Sequence, residues 1–428
     1  MRYSKWQILV SFCCVTLFSS CVRNQFDLQR YEEIVQELSP VDDVDEDHDW
    51  QLSTTKMLTV DLSGLEDVER IQVLTDNPTV TSQATILGEA YVENKSNVLM
   101  SVSYPNLQET FYAAAIDGEG RYTIVPFDPN TSNVVSFEHP VASKVKVGGY
   151  YQMQSFTYLY EEEYPDAGDY DYNDVVVRLS MRRTAPRVVR LNVELAAVGA
   201  SMQLAFAIRL AGYKASDIEK VEAVDGASYD VVSGVEFPDQ MRTVMEKKEL
   251  LLTGMSQEAV LNIFADAHWA TGDNLNADYG LMTRKLYNVN YKKDDTNGSF
   301  YPREISYELT FKDNVDVNLL SLSQLDPFII KGYNGANWEV HTYAYHNAQV
   351  LFPYPGQTIA SLPWAFCIPN GSFRWPLHAV YIGYQVTSKR ATYGAYPYLG
   401  HSFGEWAADR EESTDWYLHP DKNEIYTK

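Results

Sequence analysis

Cysteine is scarce: the chain has four, and Cys13, Cys14 and Cys21 all fall near its start, leaving Cys367 alone beyond them. With that segment removed no intramolecular disulfide can form, so the fold must be held by packing. Cys367 sits in the apolar run Leu362-Pro363-Trp364-Ala365-Phe366-Cys367-Ile368 and reads as a buried structural thiol rather than a nucleophile. Basic residues are also few, with 34 Lys and Arg against 58 Asp and Glu and a net charge of −24. That balance excludes nucleic acid, whose phosphates demand basic patches, and it repels anionic membrane surfaces. There is no G-x-S-x-G elbow, no H-E-x-x-H helix and no glycine-rich phosphate loop. These absences favour a binding or structural role over catalysis, although so many acids leave a glycosidase-type carboxylate pair open.

Long apolar runs are missing too. Ile8 to Phe18, preceded by Arg2 and Lys5, is too short for a comfortable membrane span and reads as the core of an export signal. It ends Leu17-Phe18-Ser19-Ser20-Cys21, which resembles a lipoprotein processing site, with lipidation expected at Cys21. The acyl chains would tether the mature protein, each buried CH₂ contributing about 0.8 kcal/mol. An ordinary secretory signal is the rival. The expected partner at this end is therefore a membrane, reached through lipid, in the cell envelope; an outer-membrane lipoprotein is expected, with the leaflet left open.

What the chain has in plenty is tyrosine, 31 of them, with 45% hydrophobic residues. Aromatic and β-branched residues favour strands, and periodic helix patterns are rare. The expected fold is mainly β: two β-sandwich or jelly-roll-like domains with few short helices. Residues 1–20 read as the signal and 21–50 as a tether. Within the tether a short helix is expected over Leu28–Leu38, followed by a mobile acidic run through Asp42, Asp43, Asp45, Glu46, Asp47 and Asp49. Residues 51–145 read as a small sandwich, with alternation in Met57–Leu62 and Arg70–Leu74 and turns at Asp76-Asn77-Pro78, Asp117–Gly120 and Asp128-Pro129-Asn130. Residues 146–428 form the larger domain. There Arg187–Ala197 and Met202–Leu210 are expected to pair around Gly199-Ala200. Val260–Asp266, Ser306–Phe311 and Leu325–Lys331 are further strands, Asp294–Gly298 is a hairpin turn, and Ser402 to Glu405 forms a capping box opening a short helix.

Chemistry concentrates in Gly168-Asp169-Tyr170-Asp171-Tyr172-Asn173-Asp174, which runs straight into Val175-Val176-Val177. On an extended strand Asp169, Asp171 and Asn173 would stand roughly 6–7 Å apart, too far for one ion. Calcium takes six to eight oxygens at about 2.3–2.6 Å, so the loop must curl, and Gly168 is expected to supply the unusual φ. A divalent ion would relieve the repulsion among the aspartates. The D-x-D-x-N spacing is not an EF-hand: Asp174 stands where the loop glycine belongs, and Ser180 replaces the twelfth-position Glu. A solvated acidic turn is the alternative.

Tyr160-Glu161-Glu162, Pro165 and the run from Gly168 to Asp174 together resemble the signature of the LruC-domain family of bacterial envelope lipoproteins. Further matches follow in order: Leu195–Arg209, Asp326-Pro327-Phe328-Ile329, Glu339-Val340-His341, Leu362–Ala365, Trp406 and Asp415-Trp416-Tyr417. Glu162 stands where Asp is usual, and Asp326 where Asn is usual. The resemblance implies a β-rich, calcium-binding envelope protein of undefined molecular role, and it adds Glu161 and Glu162 to Asp169, Asp171, Asn173 and Asp174 as expected Ca²⁺ ligands.

The expected function is a lipid-anchored envelope protein with a structural calcium loop, acting in adhesion, ligand binding or surface structure toward a glycan or protein partner. Two alternatives stand. A carbohydrate-binding module would present exposed rings from Trp364, Trp375, Tyr381, Tyr384, Tyr393, Tyr396 and Tyr398; core packing of each ring is the plainer reading. A glycoside hydrolase would hold convergent carboxylates, at least one with a raised pKa, in a deep pocket. Glu339 and His341 share a strand face and His346 does not, so this group reads as packing rather than as a transition-metal site.

Overall fold

Alternation of apolar and polar residues puts one face of each early strand inward, and two sheets close over those faces. The structure, a computed structural model, describes residues 41, 43–93, 96–149, 151–163, 168–224, 250–253, 256–271, 285–290, 298–333, 336–346, 348, 362–383 and 394–427. The expected signal, Cys21, the Leu28–Leu38 helix, Pro165 and turn residues 294–297 lie outside them. In the first pair of sheets, β1 (Ser53–Asp61) lies between β4 (Asn97–Pro105) and the short parallel strand β7 (Val134–Ser136). Facing it are β2 (Val68–Leu74), β3 (Ile86–Tyr91), β5 (Phe111–Asp117), β6 (Tyr122–Phe127) and β8 (Ala142–Val145), in the order β3-β2-β5-β6-β8. Leu58, Val60, Val73, Met100, Val102 and Ala113 fill the space between.

The second pair is larger. One sheet runs β13-β16-β11-β10-β9-β19, comprising β9 (Ser155–Tyr160), β10 (Val175–Ala185), β11 (Val188–Ala197), β13 (Ile218–Ala223), β16 (Arg303–Phe311) and β19 (Ala365–Ile368). The other runs β14-β15-β12-β17-β18, from β12 (Leu204–Leu210), β14 (Leu251–Leu252), β15 (Ala259–Phe264), β17 (Leu325–Tyr333) and β18 (Ala336–His341). Phe156, Val175, Val177, Leu179, Leu195, Phe206, Ile208 and Ile329 pack between them. The mainly β reading holds. The described α-helices are two short ones, α1 (Ala267–Ala270) and α2 (Phe403–Ala408), and α2 starts at the expected capping box, with Ser402 Oγ accepting from Glu405 N at 3.2 Å. No described helix is long and apolar enough to cross a membrane.

One pairing differs from expectation. β11 and β12 do not form a hairpin: β11 pairs with β10 and β16, while β12 pairs with β15 and β17 in the opposite sheet. The link between them crosses the sandwich, so that the apolar faces of both strands meet across the core instead of lying side by side. Gly199 makes the crossing where the chain presses on the acidic loop: its N–H donates to Asn173 O at 2.9 Å, and a Cβ there would lie 1.8 Å from Asn173 Oδ1.

The outer face of the β9–β10 sheet is also covered, which explains the continuous valine run opening β10: Val175 and Val177 face the sandwich core and Val176 the opposite side. That side carries an aromatic layer from the C-terminal region, including Trp375, Tyr396, Phe403, Trp406 and Trp416. The end of the expected mobile tether joins this layer. Asp43, Glu46, Asp47 and Asp49 are exposed, but His48 and Trp50 are buried, and the His48 ring nitrogen Nε2 lies 2.8 Å from Trp406 O. A stacked His–Trp pair lodged against Trp406 outweighs the solvation of its acidic neighbours.

Candidate metal centre

The acidic stretch is the connection of a hairpin. β9 and β10 are antiparallel neighbours with Tyr160 opposite Val175, so residues 161–174 leave the sheet and must return to it. The return is made by Tyr170 and Tyr172, at φ 54° and 51°, and not by Gly168. A left-handed tyrosine costs on the order of 1–3 kcal/mol. Burial offsets it: both rings are nearly inaccessible, Tyr172 OH donates to Pro363 O at 2.8 Å, and the Tyr172 and Phe366 rings meet edge-on at 4.7 Å. Gly168 serves space instead. A Cβ at that position would stand 2.2 Å from Glu161 Oε2 and 2.8 Å from Glu163 Oε2.

The curl brings the acids together. Ligand atoms of Glu161, Glu163 and Asp169 lie within 4.8 Å of one another, and so do those of Asp169, Asp171 and His378, making Asp169 common to both triads. Glu161 is fully buried; its Oε1 accepts from Tyr172 N at 2.6 Å, while its Oε2 is buried without a hydrogen-bond partner among the described residues. Asp171 is equally buried, with Oδ1 accepting from Asn173 N at 3.1 Å and Oδ2 from Ala379 N at 2.7 Å. His378 Nδ1 stands 3.5 Å from Asp171 Oδ2. The site therefore joins the hairpin to the segment at 376–379.

The other expected ligands lie in the same neighbourhood with partners of their own. Asp174 Oδ2 accepts from Glu162 N at 2.6 Å, and the Glu162 carboxylate pairs with Lys331 at 3.2 Å. Asn173 donates through Nδ2 to Pro376 O at 3.1 Å; its Oδ1, buried without a hydrogen-bond partner, lies over Gly199. Two residues of the triads, Glu163 and His378, were not anticipated. Glu163 had a signal: if the run Glu161-Glu162-Glu163 continues the alternation of β9, its first and third members share a side. His378 had none, being brought in by tertiary packing from two hundred residues downstream.

Electrostatics follow from the crowding. Burial, then Asp174, Asp169 and Asp171, push Glu161 well above the usual carboxylate range. Burial, then Asp171 and Glu163, raise Asp169 to about 8. Asp174 is raised by burial and then by Glu162, Asp171 and Asp169, and Glu163 by burial and then Glu162. The Asp171 carboxylate beside its ring raises His378. A group of crowded carboxylates that resist ionisation can hold either protons or a cation.

Elsewhere the expected alternatives resolve. His341 is fully buried, its Nδ1 2.9 Å from Asp326 Oδ1 and its Nε2 3.1 Å from Glu339 Oε2, whereas His346 stacks on Tyr343. Of the rings considered for sugar stacking, Trp364, Trp375 and Tyr396 are buried, Tyr381 is half-buried and Tyr398 is exposed; Tyr384 and Tyr393 lie outside the described residues. Cys367 is half-buried rather than buried outright, and the enclosure of its sulfur pushes the thiol up to about 12, which keeps it protonated.

Residues 187–417, more than half of the chain, match the family model described as a domain of unknown function, DUF4842. That span begins after the acidic hairpin and includes His378. No curated protein matches the chain. Among solved structures it is similar to one described as a candidate lipoprotein from Bacteroides ovatus, at 13% identity and a TM-score of 0.40, over 88% of this chain and 94% of that one.

Proposed function

Since this chain belongs to the DUF4842 family, whose function is undefined, its role must be read from its own residues, and we propose an exported, lipid-anchored envelope protein whose acidic hairpin holds calcium as a structural staple. The observation that carries this reading is the fully buried Glu161 Oε2, which has no hydrogen-bond partner among the described residues and sits among Glu163 and Asp169 in a space that only glycine at 168 leaves open. A buried carboxylate oxygen without a partner costs several kcal/mol, and a cation removes that cost. Glu161, Glu163, Asp169 and Asp171 would supply hard oxygen donors, which suit calcium. His378 would orient Asp171 by hydrogen bonding, since imidazole is a poor calcium ligand.

The rest of the reading comes from the sequence. Cys21 after Leu17-Phe18-Ser19-Ser20 supports lipidation, and the motif resemblance to LruC-domain lipoproteins supports placement in the envelope, with adhesion or ligand binding as the working role. Enclosed aromatic rings weigh against a sugar-stacking face. Raised carboxylates are also what a hydrolase needs, but Glu161 and Asp174, the two pushed highest, are buried away from any substrate.

The test is thermal unfolding of the full chain in calcium and in chelator, with calorimetric titration of calcium. At a hundredfold excess over Kd, bound calcium stabilises by about 2.7 kcal/mol. Asp171→Ala is expected to lower the Tm in both conditions, because Asn173 N and Ala379 N lose their acceptor, and to lower it clearly more in calcium, where the staple is lost as well. Equal losses in both conditions would overturn the staple.

A further inference from the structure

A second cluster lies on the outside of the aromatic layer. The loop before α2 carries His401, and a single 3₁₀ turn, Trp416–Leu418, has Asp415 before it and His419 after it. His401 Nδ1 lies 2.8 Å from the Asp415 carboxylate, and His419 Nε2 lies 3.0 Å from Asp415 Oδ2. The two imidazoles stack at 4.1 Å between centroids with 26° between their planes. Two ring nitrogens and one carboxylate therefore converge on one point at the surface, all within 4.8 Å of one another.

We propose that His401, Asp415 and His419 form a surface site for a borderline transition-metal ion of the zinc class, separate from the acidic hairpin. The donor chemistry selects the ion: two imidazole nitrogens with one carboxylate suit zinc, cobalt, nickel or copper, whereas calcium wants oxygens throughout. The dimensions fit. Around a tetrahedral ion with bonds of about 2.0–2.1 Å, ligand atoms stand about 3.3 Å apart, so the observed contacts need open by only about 0.3–0.5 Å. The remaining coordination positions face solvent, where His401 and His419 are 47% and 40% exposed.

The site is held by groups that do not belong to it. Glu405 on α2 accepts from Gly400 N at 2.8 Å, Ser402 Oγ at 2.8 Å and Ser413 Oγ at 2.9 Å, so one carboxylate clamps the segments flanking His401 and Asp415. Beneath them Trp416, fully buried, packs edge-on to Phe403 at 5.0 Å, which seats the 3₁₀ turn against α2. Ligands fixed on two clamped loops lose little freedom on binding a metal.

The test is titration of the untagged full chain with Co²⁺ in saturating calcium, read by the visible ligand-field bands of cobalt and by displacement with Zn²⁺. One equivalent is expected to bind. His401→Ala and His419→Ala should each weaken it by at least about tenfold, with the fold checked by circular dichroism because both side chains are partly exposed. Asp171→Ala should leave cobalt binding unchanged. Saturable binding that survives both histidine substitutions, loss of binding in Asp171→Ala, or no saturable binding at all would each overturn the proposal.

Discussion

Asp169 shows what the hairpin must do at the level of one side chain. Its ordinary pKa of 3.8 is raised to about 8 by burial and by its acidic neighbours, and Glu161 and Asp174 are pushed the same way. Without a cation, the folded protein holds protons that the unfolded chain has released. Stability therefore falls as pH rises from about 4 to about 8, by up to about 1.4 kcal/mol per pH unit for each such proton. Calcium substitutes for those protons, so its affinity should climb through the same window and the decline should flatten. Denaturant titrations at pH 5 and pH 8, in chelator and in calcium, measure this; stability independent of pH in chelator would refute it. The need for a curl was legible in the sequence, because D-x-D-x-N cannot converge when extended. Which residue makes the curl was not: local preference names glycine, but enclosure of Tyr170 and Tyr172 in the aromatic layer overrides it. Local sequence cannot carry His378 either, since only tertiary packing delivers it.

Strands place a second set of charges in the far sheet. Arg209 on β12 lies directly opposite Asp326 on β17, with Nε 2.8 Å from Asp326 Oδ2, and the next hairpin strand, β18, brings His341 to the same carboxylate and Glu339 to the other nitrogen of that ring. Burial would lower the pKa of His341, but Asp326 and then Glu339 more than reverse this, raising it to about 9. Relative to an ordinary value of 6.5, the stabilisation is fully present below about pH 6.5 and is lost as pH rises through about 9. Asp326→Ala would take from Arg209 and His341 the carboxylate they share, leaving them Glu258 and Glu339, at a cost of about 1–3 kcal/mol. It should also weaken the pH dependence between 6.5 and 9, since Glu339 alone still raises His341, and calcium should leave that dependence in place. Chemical denaturation across that range checks both points, and a loss under about 1 kcal/mol would mean that the pairing carries little. Period-two alternation alone puts Glu339 and His341 on one face, and that much was legible in the sequence. The partner across the sheet was not, nor was the crossing from β11 to β12. Both depend on which strands pair, and two consecutive apolar strands alternate identically whether they share a sheet or face each other across a core.

At the scale of the whole chain, β10 links the hairpin to the first pair of sheets. It leaves the acidic loop at Val175 and, about 26 Å further on, presents Arg183. That guanidinium is 3% exposed, its pKa lowered to about 10 by burial, so it stays charged and must be satisfied. Arg183 Nη1 donates to Asn318 Oδ1 at 3.0 Å, and its backbone N–H donates to Glu89 Oε2 at 3.0 Å. Asn318 in turn bonds both backbone groups of Tyr91 at the end of β3, accepting from N at 3.2 Å and donating to O at 3.1 Å. One amide thus stands in for a strand partner between the first pair of sheets and the second. Gln154 Nε2 donates to Leu87 O at 2.9 Å and Ser323 N to Ser103 Oγ at 3.2 Å across the same boundary, so the two pairs of sheets pack as one unit and the native chain should unfold in one calorimetric transition. Asn318→Ala leaves Tyr91 and a buried cation short of partners, costing about 1–3 kcal/mol, and should divide the transition in two. Calcium, bound at the other end of β10, should then raise only the later one, because the first pair of sheets would no longer feel the hairpin. Two transitions in the unsubstituted chain, or one unchanged transition in Asn318→Ala, would place the coupling elsewhere.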